Sequence, residues 1–187
     1  ASRVRSLATV DERFVRAMGT SARFGDAVLR DYVDERDDGR VMQFAAVTVD
    51  LGDGTAYVAF RGTDTTLVGW RENFILSFAI TEAQRAAADY LARELERAAG
   101  EGRCVHVGGH SKGGNLAAYA AASSPVALVG ALGRVWNNDG PGMDRAVMPV
   151  SCHDVVGERY RRIIPAYSVV GRLFAEEAPT TIVRSSA

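Results

Sequence analysis

The sequence is poor in the residues that staple or anchor small proteins. Cysteine occurs twice in 187 residues, as Cys104 and Cys152. Two are too few for a disulfide scaffold and lack metal-ligand spacing, so both are expected to be buried thiols, with no metal or cofactor. Charge of one sign is also missing, since 22 Lys and Arg meet 23 Asp and Glu for a net charge of -1. That removes the electrostatic footprint for wrapping nucleic acid or an anionic membrane and leaves neutral or small molecules as the expected partners. No apolar run reaches the roughly 18 residues of a membrane span. The nearest, Leu116 to Leu132, is mostly alanine and is broken by Ser123-Ser124-Pro125. No signal-peptide pattern is visible, so a cytoplasmic location is the expectation. Lysine is nearly absent: Lys112 is the exception among arginines, a bias that reads as the codon usage of a GC-rich bacterial genome rather than as chemistry.

What is present is ordinary for a globular protein. With 47% hydrophobic and 24% charged residues, one compact domain over residues 1–187 is expected, and disorder, coiled coil and collagen are excluded. The chain opens at Ala1 rather than methionine and stops directly after a strand-like run, so it is expected to be a piece of a longer protein.

Phe14, Val15 and Met18 stand at helical spacing before Gly19, which predicts a short helix. Asp34 to Arg40 reads as a solvated turn. Val41 to Val49 and Thr55 to Phe60 are β-branched or aromatic, and Asp50-Leu51-Gly52-Asp53-Gly54 between them predicts an antiparallel hairpin. Arg61 to Ile80 reads as a polar loop followed by a short amphipathic segment with Trp70, Phe74 and Phe78. From Glu82 to Ala99 an apolar stripe of Ala83, Ala87, Leu91, Leu95 and Ala98 predicts a helix stopped by Gly100. Cys104 to Val107 predicts a buried strand running into Gly108-Gly109, with a helix over Asn115 to Ala122. Strands are further expected at Arg134 to Asn137, Ile163 to Val170 and Thr180 to Arg184, with an Arg-rich helix around Asp154 to Arg162. The alternation predicts an α/β fold with helices covering both faces of a mixed sheet.

Gly109-His110-Ser111-Lys112-Gly113 matches G-x-S-x-G, in which a sharp strand-to-helix turn lifts a serine oxygen above the sheet edge. Strand before and helix after supply the context this motif needs. The helix points its N-terminus at an oxyanion formed on Ser111, and the Lys112 amide is the natural first donor to it. The loop Phe60-Arg61-Gly62-Thr63-Asp64 is the candidate for a second donor, because Gly62 permits a turn and Thr63 offers an amide and a hydroxyl; otherwise it is an ordinary polar loop. A serine nucleophile needs a histidine to take its proton and a carboxylate to orient that histidine. Asp139, in Asn137-Asn138-Asp139-Gly140-Pro141-Gly142 past a predicted strand, is the candidate acid or else a turn former. Of the three histidines, His106 lies inside a strand and reads as structural. His110 precedes the serine, where side chains point away from its oxygen. His153 alone follows Asp139 and is the alternative base. The Lys112 side chain is expected to pair with Glu72 or Asp139, or to meet an anionic substrate group at a pocket mouth.

Two separated motifs resemble the class 3, or fungal-type, lipase branch of the α/β hydrolases: Phe60-Arg61-Gly62-Thr63 with Trp70, and Gly109-His110-Ser111-Lys112-Gly113-Gly114. With Asp64, Asn115 and Asn138-Asp139-Gly140-Pro141-Gly142 added, the wording is similar to that of a bacterial group of lipase-like proteins, over about residues 20 to 187. The resemblance implies an α/β-hydrolase sheet and a serine esterase or lipase acting on a small-molecule or lipid ester. It makes Ser111 the nucleophile and Thr63 the second oxyanion donor, and puts Trp70 to Phe78 in the region that forms a lid in fungal lipases. The fungal acid follows the next strand, and the matching Ala166-Tyr167-Ser168-Val169-Val170-Gly171 holds no carboxylate, so Asp139 must serve. The bacterial group carries a histidine in a Gln-His-Asp setting shortly after a strand like Ile182 to Ser185, beyond these residues. The other implied possibility is a catalytically silent domain that keeps the fold for binding or scaffolding.

Overall fold

A computed structural model describes residues 11–37, 39, 42–62, 78–174 and 178–184. Among them the chain builds a seven-stranded sheet in which sequence neighbours are also spatial neighbours. β1 (Val28–Asp37), β2 (Met42–Asp50) and β3 (Thr55–Phe60) are antiparallel. From β3 the sheet continues in parallel through β4 (Cys104–His110), β5 (Leu132–Asn138), β6 (Tyr160–Pro165) and β7 (Thr180–Val183). The helices are α1 (Glu12–Gly19), α2 (Glu82–Glu101), α3 (Lys112–Ala122) and α4 (Cys152–Val156).

Alternate strand residues share a face, and one face collects Ala56, Val58, Phe60, Val105, Val107, Val135 and Tyr160. Against them lie Leu91 and Leu95 of α2 and Leu116 and Ala117 of α3, all fully buried. Truncating such a leucine to alanine costs about 2–5 kcal/mol. α2 packs on α3 and α3 on α4, so these three helices form one layer over that face. The mixed sheet with flanking helices is therefore the one expected. The β2–β3 hairpin also forms as read: Gly52 and Gly54 take φ of 75 and 85, and the Asp50 carboxylate accepts from the Gly52 amide at 3.0 Å.

Four local expectations are corrected. The solvated turn at Asp34 to Arg40 is largely strand β1, an exposed edge paired with β2. Its charges hid it: Arg30 reaches Glu94 at 2.6 Å, Asp31 reaches Arg97 at 2.6 Å and Asp34 reaches Arg61 at 2.7 Å, so an edge strand is held by ion pairs instead of an apolar stripe. α2 runs through Gly100 and ends at Gly102, whose φ of 66 supplies the left-handed cap. The Arg-rich helix stops at Val156 because Gly157 turns to φ 55, and Arg161 and Arg162 enter β6, which begins at Tyr160 and ends at Pro165. Cys152 is buried, whereas Cys104 is only partly so. Beyond Arg61 and Gly62, the expected loop, with Trp70 and Phe74 of the amphipathic segment, lies outside the described residues. No helix among the described residues is long and apolar enough to cross a membrane.

Candidate active site

β4 ends at His110 and α3 begins at Lys112, leaving Ser111 alone to reverse the chain. Its φ of 55 and ψ of -125 fall where glycine is the usual occupant, at a cost on the order of 1–3 kcal/mol. The neighbours enforce it. The Ser111 amide donates to the Asn138 carbonyl at 2.9 Å, and the Ser111 carbonyl accepts from Gly114 at 2.9 Å and Asn115 at 3.3 Å. A Cβ on Gly109 would lie 2.6 Å from the carbonyl oxygens of both Gly113 and Phe60, so the turn closes only over a glycine. Ser111 Oγ does not cap α3 and has no hydrogen bond with any described residue. It stands at the positive end of an 11-residue helix dipole.

Arg61 and Gly62, which follow β3, lie directly beside this turn. The Arg61 amide donates to the Ala45 carbonyl at 3.0 Å, and a Cβ on Gly62 would lie 2.8 Å from the His110 carbonyl and 3.7 Å from Ser111 Cβ. Thr63, Trp70 and Glu72 lie outside the described residues. Lys112 is the first residue of α3, so its amide adjoins Ser111. Its side chain does not sit at a pocket mouth: it is 1% exposed, and Nζ donates to the Gln43 carbonyl at 2.6 Å. No ion pair or hydrogen bond joins it to Asp139.

Asp139 follows β5, the strand next to β4, with φ 57. Its amide donates to the Ile163 carbonyl at 2.8 Å, and its Oδ1 accepts from Ser168 Oγ and from the Gly171 amide. It is thus both turn former and an oriented carboxylate. Gly140 beside it approaches the serine turn closely, since a Cβ there would lie 2.6 Å from the Ser111 carbonyl.

No histidine joins this cluster. His106 Nδ1 accepts from the Arg134 amide at 2.9 Å, and burial, aided by the Arg134 charge, pushes its pKa below the ordinary value; it is a neutral acceptor within the sheet. His110 is exposed. His153 lies on α4 with Nε2 buried and without a hydrogen-bond partner among the described residues. It makes no hydrogen bond or ion pair with Ser111 or Asp139.

Several positioning groups escaped the motif reading. Gln84 Oε1 caps α2 by accepting from the Thr81 amide at 2.8 Å, while its Nε2 donates to Asn115 Oδ1 at 2.9 Å. Asn115 Nδ2 donates to the Pro141 carbonyl at 3.0 Å. Asn137 Oδ1 accepts from the Gly140 amide at 2.8 Å, and its Nδ2 donates to the Tyr160 hydroxyl at 3.1 Å. All three side chains are buried, and pairing them satisfies groups that would otherwise be costly. The loop holding Asp139 is thereby fastened to α2, α3 and β6. Asn115 and Asn137 both stand inside the quoted motifs, which was the available signal; Gln84 had only its place three residues after Thr81, a capping-box spacing.

A strained serine at a helix N-terminus, a glycine loop alongside and a carboxylate at the next strand's end can together support nucleophilic acyl transfer once a base is supplied. The fold is similar to that of fungal lipases. A fungal lipase–inhibitor complex matches at 16% identity, over 78% of this chain and 60% of that one, with a TM-score of 0.51. Lipase II from Rhizopus niveus matches at 14%, over 86% and 68%, with a TM-score of 0.58. A deletion mutant of Rhizomucor miehei lipase in its propeptide complex matches at 14%, over 86% and 56%, with a TM-score of 0.54. At such identity the likeness is one of fold: a lipase-like α/β-hydrolase sheet, of which this chain spans 60% of the first lipase's length. No curated protein matches it in sequence. The family model that does match covers residues 18–187, and the chain belongs to the Mbeg1-like family.

Proposed function

We propose that this chain is the nucleophile-bearing part of a serine hydrolase that cleaves carboxylic esters, small-molecule or lipid, through an acyl-enzyme on Ser111. The observation that carries the reading is the Ser111 backbone at φ 55 and ψ -125 with Oγ uncommitted. Strain of that kind persists only where the surroundings enforce it, and it clusters where a side chain has chemistry to perform.

In this reading Ser111 Oγ attacks the ester carbonyl carbon while its proton passes to a histidine. The carbonyl oxygen becomes an oxyanion facing the Lys112 and Thr63 amides. The C–O bond to the alcohol then breaks, and the histidine returns the proton to the departing oxygen. Water, deprotonated by the same histidine, attacks the acyl carbon and releases the carboxylic acid and free Ser111. Asp139 orients the histidine. Because none of the three histidines meets Asp139, the base in this reading is a histidine that follows β7 in the whole protein, with His153 as the alternative. The same observation favours a second reading, a lipase-fold domain that binds or scaffolds without turnover.

A fluorophosphonate probe on the full-length protein separates the two. Labelling and ester turnover that both vanish in Ser111→Ala support the hydrolase. No labelling and no turnover in wild type support the silent domain. A loss of about a thousandfold or more in His153→Ala, with folding intact, would make His153 the base after all, since deleting a triad member costs orders of magnitude.

A further inference from the structure

The carboxylate of Asp139 is held by the loop after β6. Ser168 Oγ and the Gly171 amide, the latter at 3.2 Å, both donate to Oδ1, and the Gly171 amide is shared with Ser168 Oγ at 3.0 Å. Gly171 is buried, and a Cβ on it would lie 2.5 Å from Asp139 Oδ1. Arg162 braces the loop from the sheet side. It is 3% exposed, and its guanidinium donates to the Gly171 carbonyl at 2.8 Å and to Thr180 Oγ1 at 3.3 Å. Asp139 Oδ2, by contrast, receives no hydrogen bond from the described residues.

Two donors on one oxygen and none on the other select one orientation of a half-exposed carboxylate that would otherwise turn freely between staggered rotamers. They also leave the second oxygen's lone pairs for an outside N–H. An orienting acid works through direction: it must accept from one nitrogen of the imidazole so that the other faces the nucleophile. We propose that Ser168 is a positioning residue that acts through Asp139, holding Oδ1 so that Oδ2 receives the N–H of the base histidine. This rests on the hydrolase reading of Ser111. Ser168 therefore does for the acid what the acid does for the histidine, and the loop after β6 contributes a hydroxyl and an amide to the site.

The test uses the full-length protein with Ser168→Ala, Ser168→Thr, Asp139→Asn and the double variant Ser168→Ala/Asp139→Asn. Ser168→Ala should lower kcat by about 10- to 100-fold, a fraction of the roughly 10⁴-fold loss when an acid's control of the tautomer is removed. KM should stay within about twofold, and Ser168→Thr, which keeps the hydroxyl, should restore most of kcat. In the Asp139→Asn background the Ser168→Ala loss should vanish, as a residue acting through another requires. An undiminished kcat in Ser168→Ala, or an equal loss in both backgrounds, overturns the proposal. If wild type neither labels nor turns over ester, the hydrolase reading fails separately, and crystal structures of the variants decide the cradle. An Asp139 rotamer unchanged in Ser168→Ala then overturns it, while a carboxylate displaced in Ser168→Ala and kept in Ser168→Thr upholds Ser168 as its holder.

Discussion

Lys112 Nζ donates to the Gln43 carbonyl at 2.6 Å, joining the first residue of α3 to β2 across 69 positions of sequence. Both residues are buried. The solitary lysine is thus a strut that sets where the serine turn sits on the sheet. Lys112→Met, similar in length but without donors, should lower unfolding free energy by about 1–3 kcal/mol by removing a charged donor from a buried carbonyl. Urea denaturation measures this, and an unchanged midpoint would remove the strut role.

Ser111→Gly should raise the melting temperature while abolishing fluorophosphonate labelling. Glycine occupies φ 55 and ψ -125 without the side-chain penalty, so a gain of about 1 kcal/mol or more is expected. Stability would then have been given up at this residue for function. Calorimetry of the variant against Ser111→Ala, which keeps the strain, is the decisive comparison.

Gly62→Ala should damage turnover more than folding. A Cβ there meets the His110 carbonyl at 2.8 Å, and a backbone oxygen held in the sheet cannot yield, so the loop itself must move away from Ser111. Loss of one oxyanion donor costs about 10²–10³ in kcat. A fall of roughly that size with KM little changed is expected, and Thr63→Ala should fall in the same direction if its hydroxyl orients the loop.

Gln84→Ala and Asn115→Ala should be non-additive. Their side chains share the 2.9 Å bond that ties α2 to α3, and each single truncation strands a buried partner at about 1–3 kcal/mol. The double variant should cost less than the sum by about 0.5–3 kcal/mol. Strict additivity in chemical denaturation would mean the two residues act independently.

His106 should make stability depend on pH near neutrality. Its folded pKa lies below the ordinary 6.5, so the unfolded chain takes up that proton first. The contribution is therefore complete above about pH 6.5 and is lost as pH falls from there toward the folded value. His106→Gln keeps an acceptor for the Arg134 amide but cannot titrate, and its melting temperature should drop less than that of wild type between about pH 7.5 and pH 5.5. Parallel curves would refute the assignment.

What the sequence determined by itself is what depends on near neighbours in the chain. Glycines flanking Ser111, a strand before it and small helix formers after it dictate the turn locally, and the α2 stripe and the β2–β3 hairpin are local patterns too. Asp139 was readable for the same reason, at a strand end in a rigid Asn-Asn-Asp-Gly turn. Tertiary structure decided the rest. β1 is a strand because it pairs along β2, with Glu94, Arg97 and Arg61 opposite its charges, and a polar pattern cannot reveal partners that distant. Arg162, at the end of the expected Arg-rich helix, instead lies buried in β6 with its guanidinium on the loop carbonyl of Gly171. The grip of Ser168 on Asp139 spans 29 positions; it exists only because β5 and β6 lie side by side and bring their carboxyl ends to one edge. A hydroxyl and a carboxylate carry no mark in sequence that they will meet, since hydrogen bonds act over about 3 Å and only the assembled sheet sets that distance.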